Sequence, residues 1–285
     1  MTKTPESTAT VPTKEAEEKT RGGAMGANSL VRMLSLLDMF TPSSPSWSSD
    51  ALISALGTSR STGYRYIKAL ADIGLLTPVA EGNYMLGPRI IELDLQIRNC
   101  DPLYNAAGPL LKKLVEQTQF SSIACALYSG SVLCVREELS PTSPSRMLSR
   151  GQKRPLFRGA ASKIILAHLG PHQLRSIFNK HKDTIATSGL GADWASFRSN
   201  LSDIRRAGHT VTVGEFNSGV IGVAAPVLNH AGQILGSVGI AGPEEKFDRA
   251  ELDRIVELVM DAGQKVTERV GLVASGTDRP ARSVG

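Results

Sequence analysis

Cysteine is scarce: Cys100, Cys125 and Cys134 are the only three, with no C-x-x-C pair and no zinc-ligand spacing to a histidine. That excludes a disulfide framework and a zinc finger, and predicts free, buried thiols. No apolar stretch approaches the roughly 18 uninterrupted residues of a membrane-spanning helix. The opening MTKTPESTATVPTKEAEEKTRGG has no hydrophobic signal core, so a cytoplasmic protein is expected. G-x-S-x-G, H-E-x-x-H and phosphate-loop patterns are also missing, as is any internal repeat. What remains is ordinary for globular protein: 285 residues, 41% hydrophobic and 21% charged, enough for two domains. The net charge of +5 is no nucleic-acid signal in itself. From Asn28 to Glu92 five basic residues (Arg32, Arg60, Arg65, Lys68, Arg89) offset five acidic ones.

The most telling segment is SDALISALGTSRSTGYRYIKALADIGLL, which reads as two short helices joined at Gly57. On the second, Gly63, Tyr66, Ile67 and Leu70 fall at i, i+3, i+4 and i+7, one buried stripe. The other face carries Arg60, Ser61, Thr62, Tyr64, Arg65 and Lys68, with no acid between Ser59 and Ala71. A helix so faced, capped by Thr58-Ser59, suits a DNA major groove, although the same surface would serve an ordinary solvated helix. A β pattern from Thr77 to Val79, the turn Ala80-Glu81-Gly82-Asn83 and a second β pattern, Tyr84 to Leu86, follow. Helix pair then hairpin is the order of a winged helix, whose wing lies along the phosphate backbone.

Around this segment the chain divides into a polar tail to about residue 27, a winged helix-turn-helix domain over 28–88, a linker helix over 89–100, a second domain over 101–270 and a polar end at 271–285. Disorder is expected for both ends. In the first domain a helix begins at Asn28-Ser29, with Leu30, Met33, Leu34, Leu37 and Phe40 as its stripe, and TPSSPSWSS reads as a loop. In the second, a helix from Asp101 precedes a hairpin of SSIACALY and SVLCVREEL turned at Ser129-Gly130. Helices are expected at 161–169, 173–178, 193–207 and 247–270, and strands at 210–214, 221–227 and 234–240. The class is α+β with a mostly antiparallel sheet.

SLVRMLSLLDMF, STGYRYIKALADIGLL, NYMLGPRIIEL, GQKRPLFRGAASKIILAHL and DIRRAGHTVTVGEFNSGVIGVAAPVLNHAGQILGSVGIAGP occur in that order. Over residues 28–270 the chain thereby resembles the IclR family of bacterial transcription regulators, named for the isocitrate lyase regulator. The resemblance implies a winged helix, a linker helix and a GAF-like or profilin-like domain that binds a small effector. It implies a homodimer or homotetramer on double-stranded operator DNA, acting as repressor, activator or both. By family position Arg32 touches the DNA backbone and Ser61, Thr62 and Arg65 lie at the groove, while Ser59, Arg60, Tyr64 and Lys68 are assigned from the helix itself. By the same correspondence the cavity wall includes Leu156, Ala160, Ala161, Ser162, Thr212, Glu215, Gly222, Gly239 and Ala241. Gly63 departs from the family's small aliphatic, predicting a looser helix, and Arg158 replaces a smaller residue.

Arg146, Arg150, Lys153, Arg154, Arg158 and Lys163 form a run without an acid. Such a run is either solvated surface or a lure for an anionic effector, an aromatic or hydroxylated carboxylate, with Arg158 as its receptor. A repressor of a catabolic operon under such a ligand is the expected function, with a ligand-binding module or a small-molecule enzyme as the alternative. Ser162 beside Lys163, with Glu215 and His168, His172, His181, His209 and His230 elsewhere, supplies possible nucleophiles and bases. Adjacent side chains diverge, however, and the histidines have no ligand spacing. No catalytic residue, metal or cofactor is expected, and no membrane partner.

Overall fold

The computed structural model describes residues 29–128, 130–141 and 149–274. The expected turn at Ser129, Arg146 of the basic run and most of both polar ends lie outside them. The chain forms two compact units that divide between Ile97 and Arg98.

In the first unit, α1 spans residues 29–34 and tightens into a 3-10 helix at Ser35–Met39. The expected single stripe is corrected here: Leu36 is the buried residue, while Leu30 and Leu34 are exposed. The change of helical pitch after residue 34 rotates the apolar face. Strand β1, Trp47–Ser48, was expected to be loop; two residues carry no period, and it exists by pairing with Tyr84 and Asn83. Helix α2, Ser49–Leu56, starts where Ser48 Oγ accepts from the Ala51 amide and ends at Gly57 in the left-handed region, φ 59°. Helix α3 is Arg60–Asp72, capped by Ser59. Strands β2, Leu76–Pro78, and β3, Asn83–Leu86, complete an antiparallel sheet of order β1-β3-β2. Leu36, Leu52, Ile53, Leu56, Ile67, Leu70 and Leu76 make the core. Helix α4, Arg89–Cys100, buries nothing; Ile91, Leu95 and Ile97 are exposed.

The second unit is an antiparallel six-stranded sheet of order β6-β5-β4-β9-β8-β7 between two helical layers. Its strands are β4, Ser121–Tyr128; β5, Ser131–Glu138; β6, Lys153–Arg154; β7, Thr210–Val213; β8, Val220–Leu228; and β9, Ile234–Pro243. Strand alternation builds two cores. Val223, Ala225 and Val227 face α5, Pro102–Thr118, and α10, Arg249–Ala274, while Ala224 faces the opposite layer. That layer comprises α6, Ala160–Ala167; α7, Pro171–Lys180; α8, Lys182–Ala186; and α9, Trp194–Ala207. Two elements escaped the sequence reading, β6 and α8, both too short to show a period. The free thiols Cys125 and Cys134 are buried and paired in register across β4 and β5.

Candidate nucleic-acid interface and effector cavity

Helix α3 is built to present one face. Ser59 Oγ accepts from the Thr62 amide and donates to Thr62 Oγ1 at 2.9 Å, so both hydroxyls serve the helix start. Ser61 Oγ lies 3.3 Å from Ser59 Oγ. Gly63, Ile67 and Leu70 are buried, and Arg60, Ser61, Tyr64, Arg65 and Lys68 are exposed. The face is not wholly unopposed: Arg60 Nη2 lies 3.0 Å from Asp50 Oδ1 on α2. The Tyr64 hydroxyl and then Asp50 hold the Arg60 guanidinium above its ordinary value. Arg65 and Lys68 make no ion pair among the described residues, and Arg32 is exposed on α1. No Lys or Arg occurs between Leu76 and Pro88 and the turn carries the acid Glu81, so the hairpin can hold phosphate only through backbone amides and neutral side chains.

In the second unit, a small cavity of about 40 Å³, partly open to solvent, lies between the start of α6 and strands β7, β8 and β9. Ala160, Ala161, Thr212, Gly222, Gly239 and Ala241 line it as the sequence placed them. Leu156 and Ser162 are buried but outside its wall; Ser162 Oγ finds no partner among the described residues. The structure corrects Arg158, which is exposed and absent from the wall; its neighbour Arg154 lines the cavity at 7% exposure instead. On the edge strand β6, Lys153 and Arg154 point to opposite sides, an alternation two residues cannot reveal beforehand.

Glu215 is a tie beside the cavity. Its Oε1 is 2.6 Å from Lys163 Nζ, and its Oε2 accepts from the Gly159 amide at 3.0 Å. Lys163, expected in the basic run, is buried and neutralised. Phe216, next in the chain, stands 4.4 Å from the Arg154 guanidinium carbon. The Arg154 charge also reaches the paired thiols. A hydrogen bond from Cys125 holds the Cys134 thiol below its ordinary range, aided by Arg154; donating that bond, with burial, raises Cys125 well above it.

Among the described residues no catalytic dyad is assembled. Lys163 reaches Glu215 rather than Ser162, and His168 Nδ1 and His209 Nδ1 bond backbone carbonyls of Ile164 and Ala207. Among the described residues no group of three His, Cys, Asp or Glu could hold a metal ion, and no helix is long and apolar enough to cross a membrane.

Known proteins resemble this chain across both units. The IclR helix-turn-helix domain matches residues 29–80, and the bacterial transcriptional regulator IclR C-terminal domain matches 98–268. The HTH-type transcriptional regulator KipR of Bacillus subtilis is 24% identical, with 85% of this chain and 96% of that protein covered. The IclR transcriptional regulator from Alicyclobacillus acidocaldarius superposes with TM-score 0.73 at 19% identity, covering 86% of this chain and 99% of that one. An IclR homolog from Microbacterium hydrocarbonoxydans, solved in complex with 4-hydroxybenzoate, superposes with TM-score 0.68 at 18% identity over 85% and 98%.

Proposed function

Because the chain belongs to the IclR family of bacterial transcription regulators, DNA-binding proteins and not enzymes, we propose that it represses a catabolic operon until a small carboxylate occupies the cavity of its second unit. The observation that carries the DNA half is the α3 face, where Arg65 and Lys68 stand exposed and unpaired by any acid among the described residues. Arg forks read guanine edges in the major groove, and Lys neutralises phosphate. The effector half is supported by the cavity and its buried Arg154, and by the 4-hydroxybenzoate bound to the Microbacterium homolog.

The active species is a homodimer or homotetramer on a palindromic or direct-repeat operator. Leu30, Val31 and Leu34 on α1 and Ile91, Leu95 and Ile97 on α4 are exposed, and apolar side chains in such number favour association with a second copy. The effector acts by binding one placement of the DNA-reading domains better than the other, since only differential affinity shifts an equilibrium.

Gel shift on the promoters of its own and neighbouring operons tests this reading. Specific retardation, relieved by an aromatic acid, is expected. Equal affinity for promoter and scrambled DNA would overturn it.

A further inference from the structure

Arg154 is 7% exposed on β6, held by the pairing of its strand with Val132 of β5. Its guanidinium carbon lies 4.4 Å from the centre of the Phe216 ring, and its Nε and Nη2 are buried without a hydrogen-bond partner among the described residues. Native interiors satisfy nearly all buried donors, so a pair left open on one cationic group calls for an acceptor from elsewhere. Among the described residues of this wall no free carboxylate is there to pair with it. Glu215 is committed to Lys163 and to the Gly159 amide, and Thr212 and Asn217 are neutral.

The two open nitrogens share one edge of the guanidinium plane, and their N–H bonds run side by side. That is the fork that fits two oxygens of one carboxylate. The Phe216 ring centre lies 4.4 Å from the Arg154 Cζ, and Arg154 itself lines the cavity. The rest of the wall is small and apolar. Ala160, Ala161, Gly222 and Gly239 leave a shallow space against the sheet, and a Cβ on Gly222 would already lie 3.5 Å from that of Ala160. With Lys163 neutralised by Glu215, Arg154 is the one cation in the wall among the described residues.

We infer that Arg154 is the residue that selects the effector: a monocarboxylate binds its Nε and Nη2 edge in a bidentate pair, with an uncharged flat body against Ala160, Ala161, Gly222 and Gly239. This deepens the reading of the cavity as the effector site and rests on it. A dicarboxylate brings a second charge with no partner, and a primary amide turns its own donors toward the guanidinium.

The full-length protein is titrated calorimetrically with pyruvate, benzoate, 4-hydroxybenzoate and phenylacetate, with benzamide as the neutral counterpart of benzoate and terephthalate as its dianionic one. At least one monocarboxylate binds the wild type, and benzamide and terephthalate bind about tenfold more weakly than benzoate or not at all. Arg154→Met weakens the bound monocarboxylate by about 30-fold or more, and Arg154→Lys, which keeps the charge and loses the fork, by about tenfold. Should Arg154→Met fail to fold by circular dichroism, the Lys variant and the benzoate–benzamide comparison on the wild type decide. Unchanged affinity in the folded variants, equal binding of benzamide and benzoate, or no monocarboxylate bound at millimolar concentration each overturns the inference. Promoter binding is measured on the same samples without ligand. Loss of specific DNA binding by the wild type removes the regulator reading and leaves the Arg154 result standing; an indifferent Arg154 in a protein that binds its promoter removes this inference alone.

Discussion

A Cβ placed on Gly63 would stand 2.6 Å from Ile53 Cγ1 and 2.9 Å from Cγ2, so glycine sets how closely α3 lies on α2. Ile53 is 8% exposed and branched at Cβ, and it has little room to turn away. The sequence expectation of a looser helix missed this role. Gly63→Ala gains about 1 kcal/mol of helix propensity and loses about 1–3 to overpacking, so a net destabilisation of about 1 kcal/mol is expected. Ile53→Val in the same chain should recover part of it. Urea melts of the wild type and both variants give the answer, and a more stable Gly63→Ala would contradict the contact.

Arg65→Ala should weaken specific operator binding by about 1–3 kcal/mol, whereas Arg32→Ala should weaken all DNA alike and reduce the salt slope. Asp50→Asn removes the acid that faces Arg60 and should strengthen non-specific binding. Anisotropy titrations on promoter and scrambled duplexes at two salt concentrations separate these effects. If Arg65→Ala matched the wild type on both duplexes, α3 would not be the reading helix.

Removing Glu215 strands a buried ammonium, because the other polar neighbour of Lys163 Nζ is the Ser188 carbonyl at 3.5 Å. Glu215→Ala is expected to cost about 2 kcal/mol or more, with part of the usual penalty relieved because Glu215 is partly exposed. The double variant Lys163→Met, Glu215→Leu should cost less than Glu215→Ala alone. Thermal melting of the wild type and both variants tests the pair, and a double variant no more stable than Glu215→Ala would show that the stranded ammonium is not the cause of the loss.

Burial holds the His168 imidazole below its ordinary value, and the Arg205 charge adds to this, against the hydrogen bond to the Ile164 carbonyl. That carbonyl only accepts, so Nδ1 carries the proton of the neutral ring. The unfolded histidine, near pH 6.5, binds its second proton before the folded one does. The neutral ring's contribution is therefore present above about pH 6.5 and is lost as pH falls through the lower folded value. Melting temperature should drop on acidification below about pH 6.5, and His168→Gln should flatten that part of the curve. Parallel curves for wild type and variant would place the proton uptake elsewhere.

What local spacing encodes was legible in the sequence. Thr58-Ser59 ahead of an apolar i, i+3, i+4 stripe, Gly57 before it, the turn at 80–83 and the alternation of 221–227 suffice for the helix pair, the hairpin and the antiparallel sheet, because caps and periods act within one element. Six of the cavity residues that the family resemblance implied also line the wall, four of them on strands paired in register. Tertiary structure alone decided the charges. Six cations without an acid read as one basic run. In the fold Lys163 is neutralised by Glu215 from 52 positions away, Arg158 stays in water, and Arg154 is turned inward by pairing with Val132. Charge is a long-range property, set by which distant segments meet, and one residue's step along a strand exchanges solvent for interior.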